Sequence, residues 1–316
     1  MPSLKEIKGR IGSVKSTLKI TSAMKLVASA KLRKAQQAIE GMRPYEQKLQ
    51  GILAQLMAQG GGSADTLSGA FARTEPPQKS EIFGGPGISR SDAEERGSAD
   101  PIRPQRVALV ALASNSSLCG AFNANAVRLT LEALKEYDDA DVTVYSIGRK
   151  MADSMRKAGK PSPEDFQKLA DKPAYAPAAE LAEKLMEDFQ EGRLDRVELI
   201  YNHFVSSGKQ VPVRETFLPM SPVIPGEAKA SDTDYILEPS ASKLLEELLP
   251  KSLKLKFFTA LLDSNASEHA ARTVAMQTAT DNGEDLLQEL TLQYNKSRQQ
   301  KITSEILDLA GGSQQQ

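Results

Sequence analysis

A repeat of apolar residues with alternating spacings of three and four runs from residue 4 to residue 56. Its positions are Leu4, Ile7, Ile11, Val14, Leu18, Thr21, Lys25, Ala28, Leu32, Ala35, Ile39, Met42, Glu46, Leu49, Leu53 and Leu56, and thirteen of these sixteen are apolar. Such spacing over seven heptads predicts a left-handed coiled coil and excludes the shorter amphipathic helix of a globular domain. A continuous helix of this length spans roughly 80 Å. Ser3, followed three residues later by Glu6, has the form of a capping box. Pro44 lies inside the pattern and is expected to kink or pause the helix near Arg43. Thr21 and Lys25 interrupt the apolar seam. Either they are a tolerated local defect, or the seam opens there and Ser22, Ala23, Ala28, Ser29 and Ala30 let other surfaces approach closely.

The same stretch is strongly cationic in a chain that is otherwise not. The 316 residues carry a net charge of −1, yet residues 1–50 hold eleven Lys/Arg against three Glu. A near-neutral chain is not a generic polyanion binder, and so local a surplus points to a partner for the N-terminal part.

Residues 60–104 open with Gly-Gly-Gly-Ser, hold 13 Gly and Pro among 45 residues, and have no periodicity. They read as a flexible insertion. The next segment alternates strand and helix signals. The run 106–113 is nearly continuously apolar, as in a strand buried on both faces, and 141–148 is a second strand. Helices are expected over 121–137, 149–158 and 176–191. The stretches 196–207 and 210–220, either side of Gly208-Lys209, predict a hairpin. This order implies a mostly parallel sheet covered by helices.

After residue 240 the chain is helical again. A short helix over 240–249 is expected to stop at Pro250. From 251 to about 309 there is no proline and a single glycine, Gly283, giving a second helix of roughly 85–90 Å. Its apolar positions include Leu286, Leu287, Leu290 and Tyr294, then Ile302, Ile306 and Leu309. Two terminal helices of similar length can pair only antiparallel, as a rod above a globular base. The fold class is therefore α/β: a long antiparallel coiled coil of N- and C-terminal helices plus a central Rossmann-like α/β domain. Its expected divisions are 1–59, 60–104, 105–239 and 240–316.

Several functions are disfavoured by composition. One cysteine, Cys119, cannot form a disulfide framework or a thiolate-rich metal site. With two histidines, His203 and His269, a histidine metal centre would need carboxylate help, which is not visible. No metal or other cofactor is expected, and no catalytic residue. No apolar run approaches membrane-spanning length and no signal-peptide core is seen, so no direct membrane insertion is expected. The turn after the first strand, 111–125, lacks both GxGxxG and GxxxxGK[ST]. An α/β enzyme with coiled-coil arms would require a convergent acid/base or phosphate-binding set, which is not visible. A basic coiled-coil nucleic-acid adaptor would show steeply salt-dependent binding.

Two long blocks carry a resemblance. They are RIGSVKSTLKITSAMKLVASAKLRKAQ, from Arg10 to Gln36, and ASEHAARTVAMQTATDNGEDLLQELTLQYNKSRQQKITSEILDLAGG, from Ala266 to Gly312. With SSLCGAFNAN (116–125) and YNHFVSSGKQVP (201–212), in that order, the chain resembles the gamma-subunit family of bacterial F-type rotary ATP synthases. The resemblance implies a rotor shaft, or central stalk. The terminal helices would stand inside a ring of α and β subunits, with the α/β domain below contacting the epsilon subunit and the c-subunit ring. Catalysis would lie on the ring, no nucleic acid would be bound, and the protein would sit peripherally on the cytoplasmic face of the bacterial inner membrane. The positions matching the family's shaft–ring contacts are Met24, Lys25 and Arg33, then Arg272, Gln299, Thr303 and Glu305. An unbranched thioether at Met24 suits changing surroundings. Cations on the shaft would face carboxylates of the ring in pairs worth roughly 0–1 kcal/mol each, weak enough not to trap one angle.

The chain departs from the family pattern in three places. Asn115, Ser116 and Ser117 stand where the family has an acid, a basic residue and a glycine. The insertion 60–104 is longer than expected. The end, Gly311 to Gln316, is more polar than the family's tip.

Overall fold

The computed structural model describes residues 3–59, 104–220, 238 and 240–312. The insertion over 60–104 falls, apart from Pro104, outside these residues, as does the end of the polar tip after Gly312. The described elements are α1 (Leu4–Gln59), β1 (Arg106–Leu112), α2 (Phe122–Glu136), β2 (Asp141–Ile147), α3 (Arg149–Lys157), α4 (Gln167–Asp171), α5 (Tyr175–Gln190), β3 (Arg196–Ser206), β4 (Lys209–Leu218) and α6 (Ala241–Gly312). The short helix α4 has no counterpart in the sequence reading.

The heptad register of α1 is the one the structure uses. All sixteen 3-4 positions are buried or partly buried, and the cations between them are largely exposed. The partner along the seam is α6, which runs antiparallel. Leu32, Ala35 and Ile39 pack with Leu262, Ala266 and Ala270. Farther from the sheet, Thr280 Oγ1 donates to Thr21 Oγ1 at 2.9 Å. Thr21 is buried, so the seam is closed there by a polar crossing and does not open. Ser3 caps α1, its hydroxyl accepting from the Glu6 N–H at 3.3 Å, while the Glu6 carboxylate turns to Arg10.

Neither proline ends a helix. Pro44 lies within an uninterrupted α1 and Pro250 within α6, where a stop had been expected. The carbonyls that each proline leaves without an amide belong to Glu40 and Glu246, both exposed residues. On the neighbouring face of α6, Leu245, Leu249 and Leu253 form one buried row that continues past Pro250. Burying each such leucine is worth about 1.5–3 kcal/mol, enough together to offset a penalty of ~3 kcal/mol for an interior proline. The two helices are consequently unequal, 56 residues against 72, where similar lengths had been read.

The sheet has the order β2-β1-β3-β4, with β2, β1 and β3 parallel and β4 antiparallel at one edge. The hairpin closes one residue earlier than predicted: Ser206 faces Lys209, leaving Ser207-Gly208 as the turn. Alternation sorts each strand onto two faces. Ala108, Val110, Ile147 and Leu199 pack with α5, the lower half of α1 and the start of α6. Val107, Leu109, Val144 and Ile200 face α2 and α3. Gly148, at φ 99°, opens α3 where an added Cβ would lie 2.1 Å from the Ala113 carbonyl oxygen, so only glycine fits. The helix pair thus rises from a three-layered base.

Candidate functional site

The matched positions fall into three groups in space. Met24 and Arg272 meet where α1, α6 and the β1–α2 turn converge. With Ala23, Val27, Ala28, Lys31, Ser116 and His269 they line an open groove of about 300 Å³. One wall is apolar and comes from α1; the other is polar and comes from α6 and the turn.

Arg272 is not a free surface cation. Its side chain is nearly buried and donates to Glu268 Oε1 at 2.6 Å and to Ser116 Oγ at 2.8 Å. His269 Nδ1 lies 3.5 Å from the same guanidinium. Burial raises the Glu268 carboxyl above its ordinary value, with Arg272 pulling the other way. Burial, then the positive charges of Arg272 and Lys31, lowers His269 to about 4, so its ring is neutral at physiological pH. Lys31 in turn reaches Asp171 at the end of α4 at 3.8 Å.

This knot accounts for the altered turn. Ser116 accepts a hydrogen bond from Arg272, whereas a basic side chain there would oppose the guanidinium. Asn115 uses both ends of its amide, donating to the Gln167 carbonyl at 2.8 Å and accepting from the Arg149 N–H at 2.9 Å. Neutral amide chemistry thus holds the turn against α3 and α4. The constraint leaves Leu118 at φ 65° with its side chain exposed. Cys119 is buried, as expected of a small apolar side chain.

The second group is the cationic face of α1. Lys19 and Arg33 are exposed and Lys25 is partly buried, and none of the three has an ion pair among the described residues. The third group is the end of α6. Gln299, Thr303 and Glu305 lie on a stretch, 298–307, in which every residue is exposed. Thr303 returns its hydroxyl to the Gln299 carbonyl at 2.9 Å, and Glu305 pairs loosely with Lys301 at 3.7 Å. Ile302, Ile306 and Leu307 are 47%, 59% and 65% exposed. The structure therefore brings Met24 and Arg272 together and leaves the other five on two separate surfaces, four of them exposed and Lys25 partly buried.

Sequence reasoning missed Glu268, His269, Ser116 and Asp171. The i, i+4 spacing of Glu268 and Arg272 was a usable signal for their pairing. Nothing in sequence linked Ser116 to a residue 156 positions away. Among the described residues no group of His, Cys, Asp and Glu is placed to hold a metal ion, and no helix is long and apolar enough to cross a membrane.

Comparison with known proteins gives a consistent result. The family model described as ATP synthase matches residues 3–314. The ATP synthase gamma chain of Phocaeicola vulgatus is 51% identical over 322 residues, covering 99% of each chain. That of Bacteroides fragilis is 50% identical over 319 residues, again with 99% of each covered. That of Flavobacterium johnsoniae is 40% identical over 314 residues, with 99% of each covered. Among solved structures, a chain of the Tetrahymena thermophila mitochondrial ATP synthase central stalk and c-ring has the same fold. Its TM-score is 0.50 at 22% identity, over 82% of this chain and 99% of that one.

Proposed function

The chain belongs to the ATP synthase gamma chain family, and from that premise we propose that its helix pair is a rotor shaft working inside a ring of α and β subunits. The chain is a non-catalytic subunit of the enzyme. Ion flow through a c-subunit ring turns the base, and the shaft carries that rotation to nucleotide sites on the β subunits. The base, β1 to β4 with α2 to α5, meets the epsilon subunit and the c-ring. The protein is held peripherally, on the cytoplasmic face of the bacterial inner membrane.

One observation carries this reading: α6 outruns its partner. Its residues 298–307 are exposed on all sides and bear three large apolar side chains, so the helix end finds no apolar cover within the described chain. A sleeve of other subunits provides that cover. Gln299, Thr303 and Glu305 are the polar contacts within it. Lower down, the exposed cations Lys19 and Arg33 and the partly buried Lys25 face acidic surfaces of the ring. Met24 enters an apolar contact at the rim of the groove, and Arg272 shapes the wall behind it.

Co-assembly tests the proposal. This chain, mixed with the α and β subunits of its own organism, should give a complex of defined size with one copy of the chain and an ATPase activity that depends on it. Absence of a complex under every nucleotide condition would overturn the reading.

A further inference from the structure

A helix that transmits torque must not turn within its own base. The apolar row through Leu249, Leu253 and Phe257 turns one face of α6 to the sheet and so sets its angle coarsely, while the finer setting falls to directional contacts. The directional contacts are polar. Lys254 Nζ pairs with Glu183 on α5 at 2.9 Å, and Lys256 Nζ pairs with Glu215 on β4 at 2.7 Å. Two residues apart on a helix is about 200° of rotation, so the two lysines leave α6 on opposite flanks. About two turns farther along, the buried Asp263 carboxylate takes His203 Nδ1 on one oxygen and the Phe204 N–H, at 3.1 Å, on the other.

We propose that Lys254, Lys256 and Asp263 form a polar collar that locks the rotational setting of α6 in the base and so acts as the torque joint of the molecule. The lysines resist turning in either sense, because rotation that relaxes one pair stretches the other. Asp263, gripping backbone and side chain of β3 together, adds a third point beyond the plane of those two. These are positioning residues, acting through the shaft on distant sites. The inference rests on the rotor reading.

The test uses the assembled complex of α, β and this chain. The ring is immobilised and a bead is attached to the base through Ser207→Cys, at the exposed hairpin turn; the native thiol, Cys119, is buried and does not compete. In a Lys254→Met, Lys256→Met, Asp263→Asn variant, the angular variance of the bead during pauses should rise at least twofold. In the membrane-bound enzyme, ions pumped per ATP should fall at least twofold while ATP hydrolysis is retained. The reversed pairs Lys254→Glu with Glu183→Lys and Lys256→Glu with Glu215→Lys should return the variance toward wild type, which a merely destabilising change would not allow. If the triple variant does not assemble, each lysine reversal alone should broaden the variance and its paired reversal narrow it. Unchanged variance and pumping ratio would overturn the collar. A wild-type complex that assembles and rotates keeps the rotor reading in that case; a wild-type chain that never rotates removes that reading itself.

Discussion

Leu18 and Gly283 meet across the seam at a distance that leaves room for a side chain on α6 only if Leu18 shifts. A Cβ built at Gly283 would stand 2.7 Å from Leu18 Cδ2. Glycine inside a helix costs about 1 kcal/mol relative to alanine, and here that cost accompanies close approach of the two helices. Gly283→Ala should be nearly neutral, because the contacting methyl is the far end of a flexible side chain. Gly283→Leu should destabilise the chain by about 1–3 kcal/mol through overpacking, and urea unfolding of the two variants separates these outcomes. In the polar knot, Arg272→Met leaves the Glu268 carboxyl buried without its partner and should cost about 3–5 kcal/mol. Ser116→Ala should cost about 1 kcal/mol. His269 supplies a pH signature. Its ring titrates ordinarily at 6.5 and is lowered to about 4 in the fold, so its contribution is complete above pH 6.5 and is lost as pH falls toward 4. Relative to wild type, His269→Gln should therefore gain about 2–3 kcal/mol between pH 7 and pH 4, measured as the difference in unfolding free energy.

At the scale of elements, the contrast is between prolines that helices tolerate and one they would not. Pro44 and Pro250 release carbonyls on exposed turns, whereas Leu18 faces the partner helix. Leu18→Pro should break α1 at a cost of ~3 kcal/mol or more, and should block assembly or uncouple hydrolysis from pumping, which a pumping assay on membranes reads directly. Conversely, Pro250→Ala should raise the unfolding free energy by about 1–3 kcal/mol. The same contrast marks what sequence alone could convey. The heptad register of α1 was legible residue by residue, since burial follows the 3-4 spacing through Thr21, Lys25 and Glu46 even where the side chains are polar. The strands were legible because alternation and apolar runs are local. The continuity of α6 through Pro250 was not, because a buried row supplied by the sheet decides it and local propensity does not. The pairing of Arg272 with a loop serine, and of Lys254 and Lys256 with separate flanks, depends on contacts between distant segments that no spacing encodes.

For the molecule as a whole, the part of α6 beyond residue 298 contributes no burial among the described residues, so it should be dispensable for the stability of the isolated chain. Truncation after Arg298 should leave the thermal midpoint within about 2 °C, a shift of about 1 kcal/mol in a chain of this size, while weakening co-assembly with the ring. A loss of midpoint much larger than this would show that the overhang folds back on the base. Neutralising Lys19, Lys25, Lys31 and Arg33 together should reduce assembly and coupling; if both are untouched, the cationic face has no partner in the ring. The antiparallel seam also has a consequence in time. Thr21 and Thr280, bonded to each other, stand 259 residues apart in the chain. At about 5–20 residues per second of synthesis, α1 leaves the ribosome roughly 15–50 s before its partner exists. Throughout that interval the upper part of its apolar stripe has no partner helix, and an interrupted translation product has none to offer. Completion of the rod therefore reports completion of the polypeptide, and a ring that accepts only the paired helices screens out unfinished chains.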